Sequence, residues 1–371
     1  MRILVLNPGS SSLKGSLVEA PGDEVLVSDE LDWGADATAH ADRGAGVAQL
    51  IERLTASTAA DAVGYRVVHG GGALRKPTLV DDGVIARIEA LGAIAPLHNA
   101  VAAETIRAGR ELLADLPHVA CFDTAFHATL AEEAWRYPLP ADWVEPHGLR
   151  RYGFHGLSVA WSVRRASELL DRPAAELGLV VAHLGSGCSV TAVANGRSVE
   201  TSMGFTPLEG LMMGSRAGSV DPGILVHLLR AGVGVEELAD GLDHRSGLLA
   251  ASGGVGGARE LTEAAIDGRP AAILALAMFT RRAAAGIAAA ATALDRLDAL
   301  VFTGGIGENS AAIRADITRR LAVLGIPEVP DEVGRDAVLS HRDASIAVLR
   351  IEAREDLVIA GEVADLLAAS S

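Results

Sequence analysis

The sequence predicts an α/β protein of two duplicated domains with a ligand cleft between them, and three observations carry that expectation. Short β-branched runs alternate with longer Ala- and Leu-rich segments of helical period, the pattern of helices laid on sheets. A chain of 371 residues, 49% hydrophobic and 22% charged, is too long for one small core and suits two folded domains. The segment Ile3-Leu-Val-Leu-Asn-Pro-Gly-Ser-Ser-Ser-Leu-Lys-Gly-Ser-Leu-Val-Glu also has an echo far downstream. That echo is Val180-Val-Ala-His-Leu-Gly-Ser-Gly-Cys-Ser-Val-Thr-Ala-Val, followed by Ala194-Asn-Gly-Arg and a further strand. Two hairpins of one design, each opening half of the chain, mark an internal duplication.

The elements follow in order from local pattern. Apolar, β-branched runs predict strands at Ile3–Leu6, Ala62–Val68, His118–Phe122, Leu179–His183, Ala299–Phe302 and Ile346–Val348. Helical period predicts helices at Gly46–Ala56, Asn99–Ala114, Ser158–Leu170, Pro270–Leu294 and Asn309–Leu324, with a closing helix at Ile359–Ala369.

Composition excludes some functions. The formal net charge is −16, and all basic residues but Lys14 and Lys76 are Arg. Such an acidic surface argues against non-specific binding to nucleic acid or to anionic membrane, while leaving room for a local arginine cluster that holds a small anion. Cys121 and Cys188 lie in apolar runs, which suggests a reducing compartment and no disulfide framework. The chain opens directly into a strand without the layout of a signal peptide. The longest apolar stretch, Ala283 to Leu294, is short for a bilayer core of ~30 Å. A soluble cytoplasmic protein is expected.

Three Gly/Ser-rich loops at strand ends could cradle phosphate. Such turns let backbone N–H groups converge on an anion without obstruction. In the first hairpin the Ser hydroxyls add donors, Lys14 adds a positive charge, and Asn7 sits where it can meet phosphate or its metal. The third loop, Phe302-Thr-Gly-Gly-Ile-Gly-Glu-Asn-Ser, ends a strand and opens a helix, a place that favours anions. There is no G-x-x-x-x-G-K-[ST], which excludes a P-loop enzyme, and no dinucleotide fingerprint after the first strand.

Polar residues recur at turns after strands. Tyr65-Arg-Val-Val-His-Gly-Gly-Gly carries Arg66 and His69, and Pro96-Leu-His-Asn carries His98. Phe122-Asp-Thr-Ala-Phe-His places Asp123 at the end of a buried strand, the usual location of functional groups in α/β sheets. Arg150-Arg-Tyr-Gly-Phe-His-Gly carries His155, and a glycine-punctuated loop beginning at Thr201 carries Arg216, followed by Asp221. Singly, each is an ordinary loop or core residue. Together they supply cations to offset phosphoryl charge and a carboxylate to hold Mg²⁺ or orient a nucleophile. The residues alone therefore point to a kinase or a phosphatase.

The ordered set of strings resembles the acetate kinase family, whose superfamily also holds sugar kinases, heat-shock chaperone ATPases and actin. Val5-Leu-Asn-Pro-Gly-Ser-Ser-Ser-Leu-Lys is similar to its first signature, and Thr201-Ser-Met-Gly-Phe-Thr-Pro-Leu-Glu-Gly-Leu-Met-Met-Gly-Ser-Arg to its second. The other strings fit in family order, from residue 3 to about residue 361. The resemblance implies two ribonuclease H-like (actin-like ATPase) domains: 1–148 with the C-terminal helix 357–371, and 149–356 for nucleotide binding and dimerisation. It implies Asp123, Arg66, Arg216 and His155 as catalytic residues, with Arg66, Val68, Leu97, His98, Phe154 and Pro207 around the acetate. Nucleotide contacts would come from Asn7, Ser10, Ser12, Lys14, His183, Gly185, Ser186, Gly187, Gly257, Ala258, Arg259, Gly304, Gly305, Ile306, Gly307 and Asn309. Asn7, Glu355 and Asp123 would serve Mg²⁺, with Mn²⁺ as a substitute. The implied reaction passes the γ-phosphoryl of ATP to acetate, giving acetyl phosphate and ADP, in a homodimer that binds neither nucleic acid nor membrane.

The chain departs from the family pattern at three places. His183-Leu-Gly-Ser-Gly has Ser186 where the pattern has Asn, and Gly156-Leu-Ser-Val replaces Gly-Thr-Ser-His. Gly256-Gly-Ala-Arg stands where the pattern has an Asp and a larger side chain near the adenosine, so weaker ATP binding or looser nucleotide choice is expected. Propionate or butyrate kinase remains the alternative within the class, and an actin- or chaperone-like ATPase the alternative outside it. A degraded binding or scaffold protein is the third.

Overall fold

The computed structural model describes residues 1–9, 12–33, 43–330 and 336–370, apart from the side chains of Pro96, Leu97 and Ser370. The chain forms two compact units. The first comprises Met1–Ala128, Phe154–Trp161 and Arg354–Ser371, and the second Thr129–Gly153 and Ser162–Ala353.

The first unit is built on β1 (Arg2–Pro8), β2 (Ser12–Glu19), β3 (Glu24–Asp32), β4 (Ala62–Val67), β5 (Thr78–Leu79) and β6 (His118–Phe122). Their order is β3-β2-β1-β4-β6-β5. The hairpin strands β1, β2 and β3 are antiparallel, β1, β4 and β6 are parallel, and β5 runs antiparallel at the edge. Parallel strands covered on both faces read as unbroken apolar runs rather than alternating ones, and all five residues of β6 are buried. The helices Arg43–Thr55 and Pro96–Leu112 pack on each other and on the sheet. Their Leu50, Leu54 and Ile106 join Leu4, Leu6, Leu13 and Leu17 in one core. The C-terminal helix Glu355–Ser370 returns to pack on β1, β2, β4 and β6.

The second unit repeats the plan with β7 (Gly178–Leu184), β8 (Cys188–Ala194), β9 (Arg197–Thr201), β10 (Ala299–Thr303), β11 (Ala337–Val338) and β12 (Ala347–Arg350). Its order, β11-β12-β10-β7-β8-β9, is that of the first sheet, counted from the opposite edge. The likeness extends to detail. β1 and β7 are both seven residues long with the same succession of buried and half-buried positions. Each sheet also has a register irregularity between its second and third strands, at Leu17/Val18 and at Ala192/Val193. The echo of the two hairpins is therefore a true duplication, and the fold is a pair of similar α/β units.

Local differences from expectation have physical causes. The single helix expected over Asn309–Leu324 is broken: a short helix, Gly304–Asn309, ends at Ser310, and a second spans Ala311–Arg320. Ser310 leaves helical geometry at φ −110° and ψ 89°, and the buried Arg314 Nη1 takes the freed carbonyls of Gly307 and Glu308, each at 2.8 Å. The helix Pro270–Ala291 has 22 residues and a mean hydropathy of 1.4 over its most apolar window, so it is long and apolar enough to cross a bilayer, contrary to the shorter run read from sequence. One face of it, with Ala275, Phe279, Ala283 and Ile287, is buried in the second unit, where the helix packs on β7 and β8.

The C-terminal helix carries one acid into the first unit. Glu362 Oε2 is buried without a hydrogen-bond partner, and the Cys121 thiol beneath it is fully buried. Burial pushes the Glu362 carboxyl up to about 7, against the hydrogen bond from Cys121, and the charges of Asp123 and Asp365 push it the same way as burial. A carboxyl that keeps its proton when folded but loses it when unfolded erodes stability as pH rises from about 4.5 to about 7, and the whole cost stands above that. Glu362→Gln is expected to raise unfolding free energy by roughly 2–3 kcal/mol at pH 8 and far less at pH 5. Urea titrations at the two pH values check this; an equal gain at both would mean that Glu362 ionises normally.

Candidate active site

Parallel strands end together, so functional groups on neighbouring loops meet at the same edge of the sheet. In the first unit Asn7 lies near the end of β1, Arg66 near the end of β4, and Asp123 directly after β6. Glu355 opens the C-terminal helix, four residues before the start expected from sequence, and reaches the same place. Arg66 organises the group. Its Nε and Nη2 hold both oxygens of Asp123 at 2.9 and 2.7 Å. Its Nη1 donates to Asn7 Oδ1 at 3.1 Å and lies 3.2 Å from Glu355 Oε2, which also accepts from Asn7 Nδ2 at 2.9 Å.

The cluster carries more negative charge than it balances. Two carboxylates, with side chains 1% and 12% exposed, share one guanidinium. Burial works against the Arg66 charge, but the Asp123 and Glu355 carboxylates outweigh it and hold the group above its usual range. Glu355 is pushed up by burial, pulled down by Arg66, and pushed up again by Asp123. Lys14, exposed on β2 opposite Asn7, also pulls it down. Ser12 is engaged with Glu30 at 2.6 Å, and Ser10 lies outside the described residues.

His155 is delivered to Asp123 by an unusual backbone. It has φ +59°, a left-handed conformation that is costly for a residue with a side chain and recurs at functional sites. Gly156 then donates its N–H to the Asp123 carbonyl at 2.9 Å, so close that a Cβ there would strike that carbonyl. His127 anchors the segment, with Nε2 donating to the Phe154 carbonyl at 3.0 Å. Burial drives His127 down to about 4, against the pull of that carbonyl and of Asp123, so it is neutral near pH 7. Phe154 and Val68 are buried in the same unit, and Phe154 meets the His69 ring edge-on at 5.3 Å. Leu97 and His98 fall in the first turn of the helix Pro96–Leu112, where His98 is half-buried and the Leu97 side chain lies outside the described residues. Asn99 fixes the His69 loop, accepting from the His69 N–H at 3.1 Å and donating to its carbonyl at 2.9 Å.

The second unit gathers glycine loops. The β7–β8 turn closes with the Gly185 N–H on the Gly187 carbonyl at 3.0 Å, and Gly214 N–H donates to the Ser186 carbonyl at 3.3 Å. A Cβ on Gly185 would come within 3.8 Å of the Gly305 nitrogen, and one on Gly304 within 3.1 Å of His183 Nε2. One on Gly214 would lie 3.6 Å from the Gly256 carbonyl. His183, Gly185, Ser186, Gly187, Gly304 and Gly305 thus converge, with Gly256 and Gly214 beside them. Ile306, Gly307 and Asn309 continue the short helix, where Asn309 Nδ2 is spent on the Gly305 carbonyl at 2.9 Å. Gly257 caps the helix Ala258–Ile266, and the space its side chain would fill is taken by the Glu260 carboxylate. Arg259 is 90% exposed and pairs with Glu263 at 3.3 Å.

Arg216 differs from Arg66 in its company. Its Nη1 donates to the Pro207 carbonyl at 3.2 Å, and among the described residues it makes no ion pair with a carboxylate. Burial lowers its pKa, opposed by the charges of Asp243 and Cys188. Its donors are therefore largely unspent. Asp221, by contrast, is structural, capping the helix Pro222–Arg230 by accepting from the Gly223 N–H at 2.8 Å.

Asn99, His127, Arg151 and Arg314 escaped the sequence analysis as supporting residues. Three of them lie in strings already singled out for another member, and Arg314 had no signal beyond its place after the third glycine loop. The altered Leu157 and Val159 are buried in the core, which accounts for their apolar character.

Two similar α/β units, one ending in an Asn–Arg–Asp–Glu cluster and the other in a glycine cradle beside an arginine without an ion pair among the described residues, have the parts that a two-domain phosphotransferase requires. A model of the Acetokinase family matches residues 2–361. The chain is 45% identical over 401 residues to the acetate kinase of a Synechococcus strain, covering 99% of each chain. It is 44% identical over 390 residues to that of Deinococcus radiodurans, covering 98% of each. The structure superposes on Porphyromonas gingivalis acetate kinase with a TM-score of 0.87 and 32% identity, covering 100% of both chains. A propionate kinase from Francisella tularensis gives 0.87 at 34% identity, over 97% of this chain and 98% of that one. The chain belongs to the acetokinase family and is an enzyme, an ATP-dependent acetate kinase that uses a carboxyl group as phosphoryl acceptor.

Proposed function

We propose that the reaction is a direct, reversible, Mg²⁺-dependent in-line transfer. An acetate oxygen attacks the γ-phosphorus of ATP as the bond to the ADP oxygen breaks, and that oxygen leaves with the electron pair. No proton moves, because acetate is already ionised near pH 7. What this asks of the protein is positioning and charge compensation. The observation that carries the reading is the contrast between Arg66, locked to Asp123 and Glu355, and Arg216, whose donors remain for an anion.

In this reading Arg66 and Arg216 hold the acetate carboxylate and the migrating phosphoryl group. Asp123 orients the acid, His155 donates to the transition state, and His98 supports the pocket. Val68, Leu97, Phe154 and Pro207 enclose the methyl group. Asn7, Ser10, Ser12 and Lys14 serve the nucleotide phosphates, together with the cradle of His183, Gly185, Ser186, Gly187 and Gly304–Asn309. Gly257, Ala258 and Arg259 lie toward the nucleoside. The donors Asn7, Asp123 and Glu355 fit Mg²⁺, being hard oxygen ligands in a cluster with surplus negative charge. Mn²⁺ suits the same donors. Bound there, the metal would supply charge neutralisation to the phosphates.

The test is an acyl-hydroxamate assay with acetate, propionate, butyrate and no acid. Acetate is expected to give the highest kcat/KM, with little ATP loss when acid is omitted. Preference for propionate would move the enzyme to the runner-up reading, which the equal TM-score of the propionate kinase keeps in view. Acid-independent ATP hydrolysis would instead favour an actin- or chaperone-like ATPase.

In this reading the enzyme works in the cytoplasm as a homodimer. Two helices of the second unit support the dimer by exposing Ile224, Val226 and Leu229, and Ile273, Leu274 and Met278. Ile224→Glu with Leu274→Glu is expected to give a monomer in sedimentation velocity at micromolar concentration. An unshifted sedimentation coefficient would remove these helices from the interface.

A further inference from the structure

Resting on the kinase reading, we propose that Tyr137 and Arg151, acting through Glu209, are positioning residues that set the place of the Arg216 guanidinium. The chain from Ser202 to Ser219, after β9, forms no helix or strand, so it cannot hold its shape by a backbone ladder. Scattered backbone hydrogen bonds, such as Met213 N–H to the Arg216 carbonyl at 3.1 Å and Ser219 N–H to the Gly210 carbonyl at 2.9 Å, hold its second half, and side chains from outside the loop brace its first half. Arg151 Nη1 donates to the carbonyls of Thr201, Ser202 and Met203 at 3.0, 3.1 and 3.2 Å, and its Nη2 pairs with Glu209 Oε1 at 3.0 Å. The second Glu209 oxygen, Oε2, accepts from the Tyr137 hydroxyl. That hydroxyl oxygen in turn accepts from the Phe205 N–H at 3.0 Å.

The network is tightly fitted around Gly204, where a Cβ would collide with both the Glu209 carboxylate and the Tyr137 hydroxyl. Tyr137 therefore ties down Phe205 and Glu209 together. Midway between those two residues stands Pro207, whose carbonyl accepts from Arg216 Nη1 at 3.2 Å. The path from Tyr137 to the functional guanidinium is two hydrogen bonds and two residues of loop. An arginine has many rotamers, and its value to a reaction depends on having few of them populated when the substrate arrives. A misplacement of about 1 Å at a reacting group can cost about 10²-fold in rate.

Tyr137→Phe removes one hydroxyl and leaves the ring. It is expected to lower kcat about tenfold while KM for acetate and ATP changes less than about twofold. A purely structural role would also lower activity, so coupling to Arg216 is the deciding measurement. In an Arg216→Lys background the added Tyr137→Phe change is expected to have almost no further effect on kcat. A full tenfold loss there would overturn the proposal. Modification of Arg216 by phenylglyoxal, followed by peptide mass spectrometry without substrates, gives a readout independent of turnover. Its rate is expected to rise several-fold in Tyr137→Phe and in Glu209→Gln, and an unchanged rate in both would equally overturn the proposal. Should the native enzyme make no acyl phosphate, the kinase reading fails, and the modification rate still decides the positioning claim.

Discussion

Arg66→Ala is expected to abolish measurable transfer and to lower the unfolding free energy by about 3–5 kcal/mol, the usual cost of leaving buried charges without their partner. The geometry explains why both losses come together. Arg66 is the cation that holds both Asp123 oxygens and contacts Glu355, and those carboxylates are almost wholly shielded from water. Without the guanidinium, the Asp123 and Glu355 carboxylates are left as two like charges without the cation they share. One of them is then expected to take up a proton, and the site to lose a carboxylate that the proposed reaction needs. Arg66→Lys keeps a charge but not the fork that spans both Asp123 oxygens, so stability should return in part and activity far less. Urea unfolding and hydroxamate assays on the same preparations check the pair. A fully active Arg66→Ala enzyme would remove Arg66 from the chemistry, and an unchanged unfolding midpoint would mean that the carboxylates find other partners.

Arg216→Ala is expected to lower kcat by about 10²–10³-fold, the scale for losing a donor to developing charge, with no loss of stability. Here the burial works in the other direction. Arg216 loses solvation without gaining an ion pair among the described residues, which lowers its pKa, so the folded enzyme carries the group at a cost. Removing it should leave the unfolding midpoint unchanged or slightly raised, the pattern expected where a group is kept for function rather than for folding. Destabilisation on the scale of Arg66→Ala would instead show that Arg216 is a structural anchor. The two arginines, given the same role from sequence, thus separate into one paired with two carboxylates and one that makes no ion pair among the described residues.

Much of the fold was legible before any coordinates. The echo between Ile3–Glu19 and Val180–Val193 foretold two sheets of one plan, because a hairpin signature is local: an apolar strand, a Gly/Ser turn and a second strand lie within about twenty residues. The broken helix at Ser310 was not legible, because it depends on Arg314 finding two carbonyls once the turn has formed. The early start of the C-terminal helix was missed for a similar reason, since Glu355 is drawn in by Asn7 and Arg66, hundreds of residues away.

The sequence by itself determined the class of the enzyme, the two units and the identity of nearly every polar group at the strand ends. Those are properties of residue type, order and short-range period, which a linear string records. Only the tertiary structure decided how the charges are shared. At the matching place in the second sheet, the residue equivalent to Arg66 is Thr303 and the one equivalent to Asn7 is His183, so the same scaffold makes a charged cluster once and a glycine cradle once. Which guanidinium is spent and which is available depends on distances of about 3 Å between residues far apart in the chain, and no local pattern encodes such a pairing.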